Sequence, residues 1–489
     1  MSVILLMTDT TRFDMLGCVN PDISTPNLDR LAAGGIRYDR AYTCQPVCGP
    51  ARASIFTGLF PAASGCWGNS IPLSENVKTI GQRLRDNGIR AGYIGKWHLD
   101  ASDYFGLGRP ADGWDPDLWY DMRNYLEELT PEQRVASRDE NTALTGDGID
   151  ADFTFGHRCA NRAIDYLEKH AGEDFLLCVS FDEPHGPFLC PEPYASMYKD
   201  YEVPITPAYS DTLETKPQLQ SYWRDAYKQQ VPYKPRLYYG CQTFIDNEIG
   251  RVMEAIKKYA PDSLVIYTSD HGHAMSAHSL QTKGPAIYDE VARVPFIVNW
   301  PGRVKPGTIG GLASHIDICP TIMEYFNLKV PNMLQGRSML PAFDRQTEAE
   351  NDKVFVTFNR FEVIHDAAGG FQPMRAVITK KYKLAIYMTD PVDELYDIEN
   401  DPYDMNNLIN DPAYADVRAE LHDMILKHMN DTRDPFRGYQ WANRLWRSAY
   451  PPSWVNEGYA RNLDNEEYNP RQLSYETGLP ITEIVRKLF

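Results

Sequence analysis

Along the chain, short apolar runs alternate with stretches in which apolar residues recur at helical spacing. Val3–Met7 is uninterrupted and too short for a helix, so it predicts a buried strand that delivers Asp9 at its carboxyl end. Ile36–Tyr42, Ile89–Gly95, Phe175–Phe181 and Ser263–Ser269 predict further strands. Between them, Thr25-Pro26 opens a helix that runs through Leu28 and Leu31 to Gly34-Gly35, a cap residue followed by proline in the first turn. Pro50 predicts the start of a second helix, and Ile80 and Leu84 share one helical face before Gly88. The alternation predicts a wound α/β sheet whose polar residues wait just past the strand ends, where open sheets place ligands. Farther on, Val354–Phe358, Ala376–Thr379 and Leu384–Met388 are short β-like runs, followed by a helix near Ala415–Met429. Residues 100–150, rich in Asp, Trp and Tyr, and 186–235, with repeated Pro and Tyr, read as long insertions over the sheet that would wall a pocket. From Asp434 onward aliphatic periodicity fades, which predicts a tail wrapping the body or a neighbouring subunit.

With 489 residues, 43% hydrophobic and 12% aromatic, the chain can bury a large core and exceeds one ordinary domain, so two lobes are expected. A net charge of −18 argues against nucleic-acid partners and anionic membranes, which need a basic face. The nine cysteines are odd in number and show no C-x-x-C spacing, so a reducing compartment is the simpler reading. Val3–Met7 is too short for a signal-peptide core, and no apolar run approaches the roughly eighteen residues of a membrane span. The expectation is a cytoplasmic enzyme acting on small imported substrates.

Chemistry concentrates at a few strand ends. Asp9 follows the first strand, and Asp270-His271-Gly272-His273 follows Ser263–Ser269; acids and imidazoles from distant segments can converge there on one cation. Cys48 precedes the predicted Pro50 helix, where exposed amides and the helix dipole favour an oxyanion. By itself, Cys48 reads far more readily as a buried, inert thiol, and only the surrounding motifs change that reading.

The run Cys48-Gly49-Pro50-Ala51-Arg52 has the C-x-P-x-R form. Gly95-Lys96-Trp97-His98, Asp182-Glu183-Pro184-His185, Asp270-His271 and Thr282-Lys283-Gly284 follow in order. Together these stations, spread through about residues 1–330, resemble the type I, formylglycine-dependent sulfatases of the alkaline phosphatase superfamily, in an arylsulfatase-like, cytosolic bacterial branch. The resemblance implies an α/β fold with a large alkaline-phosphatase-like mixed sheet flanked by helices and a smaller C-terminal antiparallel-sheet α+β subdomain. It divides the chain into a catalytic domain, 1–350, and a C-terminal subdomain with an extended tail, 351–489. It also implies that a maturation enzyme oxidises Cys48 to formylglycine, whose hydrate attacks sulfur; a sulfated diol can collapse to the aldehyde and expel sulfate, whereas a thiolate adduct would be a dead end. In that scheme Asp9, residue 48, Asp270 and His271 bind the metal and Arg52 holds the hydrated aldehyde. Lys96 and Lys283 clamp the sulfate oxygens, His185 acts as leaving-group acid and His98 as base for the second step, while His278 lines the sulfate pocket. The implied function is hydrolysis of a sulfuric ester of a small sulfated sugar or an aryl alcohol. Lys96→Ala is expected to cripple turnover while leaving the fold intact.

Two departures stand out. Many family members have a second aspartate where this chain has Thr10, and many have asparagine where it has His271. The donor set shifts toward mixed nitrogen and oxygen, so calcium remains the first choice with manganese and zinc as alternatives. The same shift brings the site nearer to the phosphonate monoester and phosphodiester hydrolases that use this aldehyde; Lys96 with His98 favours the sulfatase. A non-catalytic sulfated-glycan binder is a third reading, opposed by the near-complete set of polar stations. His273, His315 and Asp317 read as structural residues, and Arg360, His365 and Arg375 as weak specificity candidates. Oligomeric state is not legible.

Overall fold

The computed structural model describes residues 1–447 apart from 101–103, 147–148, 228–234, 346–350 and 363–369. The chain divides into two compact units, Met1–Arg437 and Gly438–Phe489. In the second, the described residues include a short helix, Tyr439–Ala442.

The first unit is built on an eight-stranded mixed sheet comprising β1 (Ser2–Thr8), β2 (Ile36–Tyr42), β3 (Arg90–Gly95), β4 (Phe175–Ser180), β5 (Leu264–Ser269), β6 (Arg293–Val294), β7 (Phe296–Asn299) and β8 (Gly307–Ser314). Its order is β3-β4-β1-β5-β7-β2-β6, with β8 also paired to β2. The first four strands of that order are parallel, and β7 runs antiparallel to both β5 and β2. Side chains alternate across a strand, and β1 shows what that does to an all-apolar run. Val3, Leu5 and Met7 join one core with Phe56, Ile80, Leu84 and Ile322, while Ile4 and Leu6 join another with Leu28, Leu31, Ala163 and Ile249. Both faces are therefore covered by helices, the arrangement that buried parallel strands require.

The predicted strands and early helices form close to their expected limits. One boundary moves: the second helix begins at Cys48 itself and runs to Thr57, with Val47 as its extended cap. Pro50 falls in the first turn, where its missing N–H costs no intrahelical bond. Two helices fall outside the sequence expectations. Phe155–Lys169 is capped by Thr154, and Pro235–Tyr259 packs beside it over the sheet. The 100–150 insertion also departs from expectation, because part of it is core. Tyr120, Met122, Tyr125 and Leu129 are buried in the helical layer, and Trp114 and Trp119 pack edge-on against Trp97 at 5.7 and 5.6 Å.

A second, antiparallel sheet has the order β12-β11-β10-β9, from β9 (Lys353–Arg360), β10 (Phe371–Thr379), β11 (Tyr382–Tyr387) and β12 (Glu394–Asp397). Val356, Phe358, Ala376 and Ala385 meet Tyr42, Ile287, Tyr288 and Leu312 of the larger sheet's surroundings in one apolar cluster. The Ala415–Asp431 helix contacts β10 and β11. His365 lies outside the described residues.

Candidate active site

Strand register brings the site together. Thr8 on β1 pairs with Ser269 on β5, so the next residues, Asp9 and Asp270, emerge side by side at the carboxyl edge. Across β4, Ser180 pairs with Gly95 of β3, and the Lys96 amide donates to the Ser180 carbonyl at 2.8 Å. Gly95 has φ +116°, and a Cβ there would lie 1.9 Å from the Ser180 carbonyl oxygen; only glycine lets the chain turn into the Lys96 loop at this spacing. Behind that loop Trp97 stacks on Phe56 at 5.5 Å.

Asp9, Cys48, Asp270 and His271 each offer a donor atom, and the four atoms lie within 4.8 Å of one another in a fully buried cluster. Ligands on opposite sides of a divalent ion at about 2.4 Å stand about that far apart, so the set has the size and chemistry to hold one. Cys48 Sγ is 3.1 Å from His271 Nε2, 3.8 Å from an Asp9 oxygen and 3.9 Å from Lys96 Nζ. Burial and then Asp9 push the Asp270 carboxyl up to about 7, the mark of two acids sharing too little positive charge. Burial and Asp9 also push the Cys48 thiol up, but Lys283, Lys96 and His271 outweigh them and hold it well below the ordinary thiol value. The pocket thus favours an anion at position 48.

Arg52 is fully buried and spans the two acids. Nε donates to Asp270 at 3.1 Å, Nη2 to Asp9 at 3.0 Å, and Nη1 to Ser180 Oγ at 2.6 Å and to the Lys96 carbonyl at 2.7 Å. Its donors are directed at these partners and not at residue 48. Lys96, also fully buried, lies between Asp9 at 2.7 Å and Asp182 at 3.0 Å. Thr10 donates its hydroxyl to Asp9 Oδ1 at 2.6 Å and its amide to Asp270 Oδ1 at 3.1 Å, so it orients the carboxylates from behind. With φ +69°, it holds an uncommon left-handed conformation to do so.

On the other side of Cys48, burial lowers the His98 pKa, and among the described residues its Nδ1 has no hydrogen-bond partner. Burial thus favours the neutral form of the His98 imidazole. His185 Nε2 lies 3.3 Å from Lys283 Nζ. His278 is held by two neighbours: Nδ1 meets Asp211 at 2.8 Å and the ring stacks on Tyr288 at 3.6 Å. His273 Nδ1 accepts the Met275 amide, closing its own loop. His315 bonds Thr268, and Asp317 accepts from the Arg337 amide and the Asn351 side chain. Arg375 is buried against Asp434 at 2.5 Å and two carbonyls, and Arg360 Nε donates to the Glu362 carbonyl. Three partners carried no sequence signal of a role: Asp182 within its motif, Tyr104 in the insertion, and Arg138, which reaches Asp182 at 3.4 Å.

A sulfatase family model matches residues 2–328, two thirds of the chain. The chain belongs to the sulfatase family. It is a sulfuric ester hydrolase of the alkaline phosphatase superfamily. A second model, the C-terminal region of N-sulphoglucosamine sulphohydrolase, matches residues 281–431. Among relatives, the uncharacterized sulfatase YidJ of Escherichia coli (strain K12) is 42% identical over 488 residues, covering 98% of this chain and 96% of its own. The arylsulfatase of Clostridium perfringens is 27% identical, covering 92% of this chain and 98% of its own. Two solved structures share the fold. One, in complex with its substrate D-glucosamine-2-N,6-O-disulfate, has TM-score 0.71 at 21% identity and covers 89% of this chain and 98% of its own. The other, the phosphonate monoester hydrolase of Agrobacterium radiobacter, has TM-score 0.73 at 22% identity and covers 88% and 96%. No helix among the described residues is long and apolar enough to cross a membrane.

Proposed function

We propose that this sulfatase uses a formylglycine made from Cys48 and a divalent cation to release sulfate from a small sulfated sugar or aryl ester. The observation that carries the reading is the buried Asp9-Cys48-Asp270-His271 cluster at the start of a helix, within a field that favours an anion at residue 48. The Cys48 sulfur stands where an oxygen of the hydrated aldehyde would lie. Asp9, Asp270, His271 and that oxygen would hold the cation, which supplies Lewis-acid charge favouring the ionised hydroxyl. Calcium is the first assignment, and the imidazole keeps manganese and zinc in the set.

The chain's own residues do the rest. Arg52 fixes Asp9 and Asp270 by pairing with both carboxylates at 3.0 Å. Lys96 gives two of its three N–H bonds to Asp9 and Asp182; the third can meet a sulfate oxygen, as can Lys283 from the other side. His185, joined to Lys283, carries the proton for the departing ester oxygen. His98, whose neutral form burial favours, accepts a proton from residue 48 in the second half-reaction. His278 is fixed through Nδ1 by Asp211, and its buried Nε2, without a hydrogen-bond partner among the described residues, is the atom that would line the sulfate pocket. A dedicated maturation enzyme in a cytoplasmic setting fits a chain whose nine cysteines are all unpaired before residue 48 is converted.

Peptide mass spectrometry around Cys48, on protein produced with a maturing enzyme, tests this reading. Aldehyde at residue 48 together with preferred turnover of an aryl sulfate over an aryl phosphonate is expected, and chelation should abolish that turnover until a divalent cation is restored. Active protein carrying only the thiol would sink the proposal; dominant phosphonate turnover would replace it with the phosphonate hydrolase reading.

A further inference from the structure

Five side chains link the two ends of the reaction: Lys96, Asp182, Tyr104, His185 and Lys283. We infer that the Tyr104–Asp182 pair is a positioning device that holds His185 in one tautomer and reserves its Nε2 for the departing oxygen of a substrate with a poor leaving group. The inference rests on the hydrolase reading above.

Hydrogen-bond polarity carries the argument. His185 Nδ1 lies 3.0 Å from the Gly186 carbonyl, which can only accept, so Nδ1 bears the hydrogen. The Tyr104 oxygen lies 3.3 Å from the same nitrogen. Its own O–H is directed at Asp182 Oδ1, which leaves a lone pair facing the imidazole. Asp182 is kept ionised by Lys96 at 3.0 Å and by Arg138 at 3.4 Å, so the phenol cannot turn round and donate to the histidine without abandoning a buried carboxylate. Two acceptors thus hold the Nδ1 hydrogen, one backbone and one phenolic. Nε2 is left facing Lys283 Nζ at 3.3 Å, and one proton is shared across that gap.

As the S–O bond breaks, its electron pair stays on the ester oxygen, which takes the shared proton; the Nδ1 hydrogen remains in place. Before that transfer, any positive charge stays on the imidazole and is stabilised by the Tyr104 oxygen, whose hydroxyl donates to the Asp182 carboxylate. The phenol ring has a second task, lying 4.0 Å below Lys96 Nζ. Tyr104→Phe keeps the ring and removes only the hydroxyl, which makes it the selective probe.

The test compares two esters in fully matured enzyme. 4-Nitrophenyl sulfate releases a stable phenolate and needs little proton donation, whereas cyclohexyl sulfate releases an alkoxide and needs it fully. Tyr104→Phe should lower kcat for the cyclohexyl ester by about tenfold to a hundredfold, with the aryl ester changed by less than about threefold and KM near constant for both. Asp182→Asn should move the ratio of the two rates the same way while also lowering both, because Lys96 loses a partner. Equal losses on the two esters with Tyr104→Phe, or no loss on either, would overturn the inference. A His185→Ala enzyme that loses equally on the two esters would instead remove the proposed leaving-group role of His185, and this inference with it.

Discussion

Replacing Lys96 with methionine removes one positive charge at nearly constant volume from a fully buried position. Its ammonium pairs with Asp9 at 2.7 Å and Asp182 at 3.0 Å, so the substitution leaves two buried carboxylates short of a counter-ion. Breaking a buried pair from one side costs about 3–5 kcal/mol. Asp9 retains Arg52 and Thr10, and Asp182 retains Tyr104 and Arg138, which argues for the lower end, about 3 kcal/mol. Against a typical total of about 5–15 kcal/mol, the variant should fold and yet unfold at visibly lower urea. The intact fold expected of a Lys96 variant is thereby kept, at a cost in stability, because the proposed sulfate clamp also pairs two buried acids. Loss of a preorganised cation beside the reacting sulfate should lower kcat by about a hundredfold to a thousandfold. Urea unfolding and turnover of 4-nitrophenyl sulfate measure the two effects. Adding Asp182→Asn should recover part of the stability and none of the activity, since it removes one orphaned charge without restoring the lost one. A stability change below about 1 kcal/mol, or a kcat within about tenfold of wild type, would refute the reasoning.

Two other outcomes follow from groups near and far from the site. Burial and the neighbouring Asp182 raise the Glu183 carboxyl from 4.5 to about 7. Its Oε1 accepts the Gly156 amide, and among the described residues Oε2 has no partner. A folded value above the unfolded one means this stability is present in full below about 4.5 and lost as pH rises through about 7. Glu183→Gln should therefore gain on wild type in urea midpoint between pH 5 and pH 8; a gap that stays constant across that range would contradict the assignment. Arg375→Met, which orphans buried Asp434, should lower stability by about 3 kcal/mol and leave KM for the sulfate ester unchanged. A selective rise in KM at undiminished stability would return Arg375 to the specificity candidates.

How far the site was legible depended on what kind of information each residue carries. Asp9, Asp270 and His271 were readable as candidate ligands because they follow runs whose own pattern predicts strands, and strand ends of a wound sheet meet along one edge, whereas Cys48 needed its C-x-P-x-R resemblance. The role of Thr10 stayed open because a threonine after a strand more often serves a turn than a ligand or its partner, and its 2.6 Å bond to Asp9 appears only in the fold. His278 was placed beside the sulfate by the family resemblance, and only the fold shows that Asp211 and Tyr288 fix its ring while Nε2 has no hydrogen-bond partner among the described residues. Tyr104 and Arg138 lie in a segment with no period and no motif, so nothing local could mark them.

Local pattern by itself determined the strands, the first helices and the chemical types that stand at their ends, since burial of an apolar run and capping of a helix depend on neighbours in the chain. Tertiary structure alone decided which charges face each other: that Arg52 spans two acids, that Lys96 is shared by Asp9 and Asp182, and that a tyrosine from an insertion touches His185. Electrostatic and hydrogen-bond energies turn on separations of a few tenths of an ångström between residues tens to hundreds of positions apart, and the folded chain alone sets those separations.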